Sequence, residues 1–347
     1  MKSLLLTLAI AMLSGCASVP DQSARPVAAV TLSAAQLSAT VQAGVSAPQI
    51  AQLLAKPLFA MQPAELSVFL AYMQAAEPDL RQRVIALGRM NIGQPYELYL
   101  LGEFPYEVYD VQPLYSLDKS DCVVFAEHIY AMALSASWEE FFWMLQRIRY
   151  KDGVIGVTTR NHYTEADWNP NNSWLVSDVT KGLVDSQVLP YTQVINRTRF
   201  FKERYKIDRP FDLQQWEDVY LPKQVAAAGQ LDLRSGDFVN IISGIEGAAW
   251  ASHVGLIVKG TNGELRILHS AEPQVREESL VRFIQRYEER EAAADAAGKK
   301  RPKLLGFKFL RLQDTPVPPP MSPQPRPLRW SAMPLTRQPT GPQSSNH

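Results

Sequence analysis

Two apolar runs, Ser252–Lys259 (SHVGLIVK) and Glu264–Ala271 (ELRILHSA), flank Gly260-Thr261-Asn262-Gly263. Asn262-Gly263 tolerates positive φ, so the stretch predicts an antiparallel hairpin. His253 opens the first strand and His269 lies near the end of the second, which makes them neighbours at the open end. Side chains alternate between faces, so the two imidazoles share a face only if the connection is odd in length or bulged. One face then carries His253, Gly255, Ile257, Leu265, Ile267 and His269; the other carries Val254, Leu256, Val258, Arg266 and Leu268. Both faces are largely apolar and need cover on both sides. An isolated histidine on an apolar face is usually a satisfied core residue. Two at one strand end, in a chain with five histidines, weaken that reading.

Other elements follow the same logic. SGDFVNII (235–242) reads as a turn and a strand, and LLGFKFLRL (304–312) as a last strand. Upstream, Ser120 and Asp121 are both N-cap types, and apolar residues recur at helical spacing from Val123 to Ala133. A second helix starts at Ser137, where Ser137-Trp138-Glu139-Glu140 is a capping-box pattern. Residues 33–88 alternate short helical patterns with Pro and Gly breaks. Helices first and antiparallel strands later predict an α+β fold, with this N-terminal helical segment packed on the main domain.

The ends of the chain are different. Lys2, an apolar run from Leu4 to Leu13, then Leu13-Ser14-Gly15-Cys16 come in the order of a bacterial lipobox. The run is too short to span a bilayer as a helix. Residues 1–16 are therefore expected to be a lipoprotein signal peptide ending at an acylated Cys16. Residues 17–32 would be a tether, and 89–312 the main domain. The Pro-rich stretch 313–347 is expected to be a disordered tail. By resemblance to Gram-negative lipoproteins, Ala17, where an Asp would favour inner-membrane retention, implies an outer-membrane anchor facing the periplasm. Lys+Arg and Asp+Glu balance at 35 each, which gives no electrostatic case for nucleic acid. A monomer is expected.

The chain has two cysteines. If lipid takes Cys16, Cys122 has no partner within the chain for a disulfide. It is either a small buried hydrophobe or a nucleophile. It falls in the first turn of a helix, where the dipole, together with a neighbouring imidazolium, lowers a thiol's pKa. His253 could then act as its base, with His269 fixing the tautomer of His253. The Cys122 backbone N–H, free in the first turn, is available to an oxyanion.

Together Asp121-Cys122, GDFV (236–239), HVGLIV (253–258) and ILHSA (267–271) resemble the NlpC/P60 superfamily of papain-like cell-wall cysteine peptidases. That resemblance implies a Cys-bearing helix packed on an antiparallel sheet. It gives Cys122 the role of nucleophile, His253 of general base and His269 of orienting residue. Pro95-Tyr96 resembles the position of a substrate-contacting tyrosine, and Asp121 is grouped with it. LDKSDCVVFAEHIYAMAL (117–134) and the insertion IRYKDGVIGVTTRNHYTEADWNPNN (148–172) are similar to the DUF1460 branch, N-acetylmuramoyl-L-alanine amidase-like. What this implies is cleavage of the amide between muramoyl lactyl group and L-Ala in peptidoglycan fragments, with selectivity for 1,6-anhydro-muropeptides. No cofactor is implied. Most NlpC/P60 sequences carry DCSG where this chain has DCVVF, which favours the amidase over the γ-D-glutamyl-diaminopimelate endopeptidase.

In the insertion, Arg160, His162, Tyr163, Asp167 and Trp168 are candidates for substrate binding. Aromatic faces suit sugar rings and arginine suits a carboxylate. The plain alternative is a polar surface loop anchored by its Trp. A zinc amidase would need His162, His253 or His269 with Asp167 or Asp178, but no H-E-x-x-H occurs. No G-x-S-x-G marks a serine hydrolase. A non-catalytic peptidoglycan-binding lipoprotein is the alternative outside the enzymes.

Overall fold

A computed structural model describes residues 30–328, apart from 185–186, 229 and 246–247. The expected lipobox and Cys16 lie outside the described residues.

Four helices come first: α1 (Ala34–Ala43), α2 (Ala47–Leu53), α3 (Pro63–Ala76) and α4 (Leu80–Arg89). Their ends are sealed locally. Ser33 and Gln36 cap each other across the first turn of α1, and Gly44 closes it at φ 65°. Asp79 accepts from the Gln82 N–H at the start of α4. Apolar residues of these helices, among them Ile50, Leu66, Phe69 and Val84, are fully buried in one core with α5 (Cys122–Ala133) and α6 (Trp138–Arg149). At α6, Ser137 accepts from the Glu140 N–H. Glu140 reaches back one residue further than a capping box requires, to the Ala136 N–H.

The strands are β1 (Val176–Asp178), β2 (Leu189–Ile195), β3 (Gln214–Pro222), β4 (Phe238–Ile245), β5 (Ala248–Lys259), β6 (Leu265–Ala271), β7 (Gln274–Ser279) and β8 (Lys303–Leu312). They form one sheet in the order β2-β3-β8-β4-β5-β6-β7, with β1 also on β8. Every pairing is antiparallel. The α+β expectation holds, and the sheet is covered on both faces. Phe238, Val254, Leu256, Leu268 and Leu310 pack against α5 and its neighbours. Val239, Ile241, Ile257, Ile267 and Phe309 pack against the helix Leu280–Ala296. Buried Asp237 ties the layers together, binding Arg81 of α4 and Arg311 of β8 at 2.9 Å each.

The β5–β6 register pairs Leu256 with Leu268 and Lys259 with Leu265, so the connection 260–264 is odd in length. His253 and His269 therefore share a face, the one turned to the helix Leu280–Ala296. Gly255 sits across from His269, and a side chain there would meet His269 Cβ at 3.1 Å and the Ile267 side chain more closely still. The glycine leaves that space to the imidazole.

The tail differs from expectation as far as residue 328. Met321 packs near Gly153, Gln324 bonds the Ile155 N–H and Gly153 carbonyl, and the Leu328 N–H donates to the Pro105 carbonyl. Proline removes donors but leaves carbonyls and side chains free to dock.

Candidate active site

Three segments converge on the first turn of α5. Asp121 is its N-cap and accepts from the Val124 N–H at 2.8 Å. Ser120, the residue before, is fixed to β6 one position beyond His269. Ser270 Oγ donates to the Ser120 carbonyl at 2.8 Å, and the two hydroxyls lie 3.0 Å apart. The stretch Gly93–Tyr96 runs along the edge of β7, with the Val275 N–H donating to the Gln94 carbonyl. Tyr96 then bridges to Ser120. Sheet edge, tyrosine and helix start are thus one hydrogen-bonded unit.

His253 is aimed by a bulge. Ile241 faces His253 and Ile242 faces Ala251, which leaves Ser252 as the extra residue. Ser252 Oγ lies 2.7 Å from Ser243 Oγ, and Glu165 accepts from the Ala251 N–H. β5 and β6 are paired only from Leu256 and Leu268 to the hairpin end. Beyond that point the strand edge at Val254 turns to α5, and the Val254 N–H favours the Cys122 thiolate.

The imidazoles are in direct contact. His253 Nε2 lies 2.7 Å from His269 Nδ1, and His269 Nε2 lies 3.0 Å from Glu278 Oε1. Glu278, on β7, is also bound by Arg276 at 3.1 Å and Arg286 at 2.5 Å. Burial raises the Glu278 carboxyl, but the His269 and Arg286 hydrogen bonds and the Arg286 charge outweigh it and hold it far below the usual carboxylate range. An anionic carboxylate only accepts, so His269 Nε2 carries a proton. His269 Nδ1 then accepts from His253 Nε2–H, which leaves His253 Nδ1 as a free base. Each tautomer follows from the one behind it.

The surroundings of both His253 and Cys122 favour the uncharged form. Burial above all, then the neighbouring His269, Arg276 and Arg286, push His253 well below its ordinary value. Burial first, and the Asp121 carboxylate second, push the Cys122 thiol up to about 12, against the backbone amides of Val254 and Val123. The lowered thiol expected from the helix N-terminus is not found. Desolvation is the larger cause, and the carboxyl of the N-cap beside the sulfur adds to it. Burial, then the neighbouring Cys122 and Asp121, raise the Tyr96 phenol, which keeps it a donor. His253, His269 and Tyr96 line a cavity of 230 Å³. Among the described residues no cluster of three or more His, Cys, Asp or Glu side chains is arranged to hold a metal.

The insertion residues lie elsewhere. Trp168 is 1% exposed, stacks on Phe238 at 4.4 Å and donates to Glu127. Arg160 is held by Glu103 and Asp110. His162 Nε2–H donates to the Val157 carbonyl at 2.6 Å, among Phe200, Phe201 and Tyr205. Asp167 pairs with Arg197, whose guanidinium lies 5.3 Å from the Tyr163 ring centre. Arg160, His162 and Asp167 line a separate cavity of 290 Å³ that includes none of Tyr96, Cys122 or His253. The residue types that bind sugars and carboxylates are also those that build a polar-aromatic core, and sequence did not separate the two. Trp168→Ala is accordingly expected to lower unfolding free energy by about 3–5 kcal/mol. Denaturant titration checks this; a substrate platform would instead raise KM and leave stability intact.

Sequence reasoning missed Glu278 and the two arginines behind it. Gln274–Ser279 is polar and half charged and so carries no strand pattern of its own, and Arg286 lies beyond it on the helix Leu280–Ala296.

No curated protein matches the sequence. A solved Legionella pneumophila protein of the DUF1460 family is 19% identical, with a TM-score of 0.60 over 72% of this chain and 94% of that one. An N-acetylmuramoyl-L-alanine amidase from Bacteroides uniformis is 23% identical, with a TM-score of 0.53 over 67% of this chain and 99% of that one. Residues 86–289 match the AmiA-like family, N-acetylmuramoyl-L-alanine amidase-like. The segment matched carries Tyr96, Cys122, His253, His269 and Glu278, and the chain belongs to that family.

Proposed function

We propose that the protein is a cysteine amidase that cleaves the bond between the muramoyl lactyl carbonyl and L-Ala in peptidoglycan fragments, with a preference for anhydro-muropeptides. It works as a monomer with a papain-like core, held by a lipid on Cys16 at a bacterial membrane facing the periplasm, the outer membrane by its Ala17. The observation that carries the reading is the Glu278–His269–His253 relay, which leaves His253 Nδ1 as the base, next in the chain to Val254, whose N–H favours the Cys122 thiolate.

The chemistry follows from the resting charges. Cys122 Sγ attacks the lactyl carbonyl carbon while its proton passes to His253 Nδ1. The oxyanion is met by the Cys122 N–H, a first-turn donor with no intrahelical acceptor, and by the Tyr96 hydroxyl. The C–N bond breaks, and the L-Ala nitrogen leaves with the proton from His253. Water, deprotonated by His253 Nδ1, then attacks the thioester carbonyl; the C–S bond breaks and His253 returns the proton to Cys122 Sγ.

Mass analysis of defined muropeptides tests the reading. Release of an intact peptide with a free L-Ala amine is expected. Release of an L-Ala-D-Glu piece would mean the endopeptidase bond is cut instead. Binding without any turnover would make the protein a peptidoglycan receptor.

A further inference from the structure

The cavity beside His253 and His269 is lined by three arginines, Arg276, Arg286 and Arg290, and one carboxylate, Glu272. Two of the arginines already have work. Arg276 binds Glu278 and the Ala271 and Glu272 carbonyls, and Arg286 binds Glu278. Arg290 differs. The residues three and four away on its helix are Arg286, Tyr287, Ala293 and Ala294, none of them acidic. The acidic residues nearby in sequence are engaged elsewhere: Glu289 with Arg282, Glu288 and Glu291 with Lys223. Among the described residues Arg290 has no carboxylate partner. An exposed cation without a carboxylate partner thus lines the cavity that also holds the candidate base.

We propose that this cavity is a carboxylate subsite for the peptide stem, with Arg290 as the residue that pairs with the stem's carboxylate. The proposal rests on the muropeptide reading and adds the group recognised. Guanidinium suits a carboxylate because its fork makes two parallel hydrogen bonds. Paired there, the stem is anchored on the leaving-group side of the scissile amide, so Arg290 governs substrate choice and takes no part in bond breaking.

The test is calorimetric titration of the full chain carrying Cys122→Ala, which leaves the ligand intact. The probes are N-acetylmuramoyl-L-Ala-D-Glu and its diamide, in which both carboxyls are carboxamides. Adding Arg290→Ala is expected to weaken the diacid about tenfold or more and to leave the diamide unchanged, with Arg290→Lys recovering part of the loss. Equal affinity with and without Arg290, an equal loss for diacid and diamide, or no binding of either probe overturns the subsite. Product analysis with the wild-type chain keeps the two ideas apart. If the contrast between diacid and diamide holds while the wild type leaves muropeptide uncut, the subsite stands and the amidase reading falls.

Discussion

Cys122→Ala is expected to abolish hydrolysis of muropeptides, with a loss in kcat on the order of 10⁴-fold or more. The serine hydroxyls near the relay among the described residues are already engaged, Ser252 with Ser243. The Ser120 and Ser270 hydroxyls are bonded to each other, and the Tyr96 phenol is held protonated. The variant should fold, since Ala fits the first turn and Asp121 still caps it. A second result separates this site from a cysteine protease with a preformed ion pair. The resting thiol lies near 12, so alkylation by iodoacetamide should be slow at neutral pH and climb steadily into the alkaline range. A thiolate–imidazolium pair would react fast and nearly independently of pH above its own low pKa. Turnover does not need a free thiolate, because His253 Nδ1 takes the proton as the bond forms. Full turnover by Cys122→Ala, or rapid alkylation at acid pH, would remove the proposed mechanism.

What sequence could and could not give follows from where each signal sits. The hairpin was legible because two apolar runs and an Asn-Gly turn lie within twenty residues, and turn parity left only two choices for the histidine faces. The start of α5 was legible because an N-cap is a local device. β7 was not, because Gln274–Ser279 is polar and becomes a strand only by pairing with β6. Glu278 inherits its place from that pairing, so no local pattern announces it. The helix Leu280–Ala296 went unread for the same reason, although its Ser279 cap is a local signal. Trp168 failed in the other direction. Its neighbours in sequence are polar and suggest a surface, while its neighbours in space, Phe238 and Glu127, come from 41 or more residues away.

Glu278→Gln is expected to lower kcat about 10- to 100-fold with little change in KM, because Glu278 acts through His269 and does not reach the substrate. Gln is close in shape but can present an N–H to His269, so the fixed order of tautomers is lost and His253 Nδ1 is no longer always the bare nitrogen. Arg276 and Arg286 also lose their shared anion, which should cost about 3 kcal/mol of stability. A stability loss alone would not prove a positioning role, so the pH profile decides. The Glu278 charge raises the pKa of His253, and its hydrogen bond raises that of His269. Without it both imidazoles become harder to protonate, and the acid limb of kcat/KM moves to lower pH even as the plateau falls. Glu278→Ala should show the same shift with a larger loss of stability. An unchanged acid limb, or a loss confined to KM, would mean that Glu278 only braces β7. If the limb moves as argued, the proton held between His269 and Glu278 is what keeps the base at Cys122 ready, two residues removed from the bond that breaks.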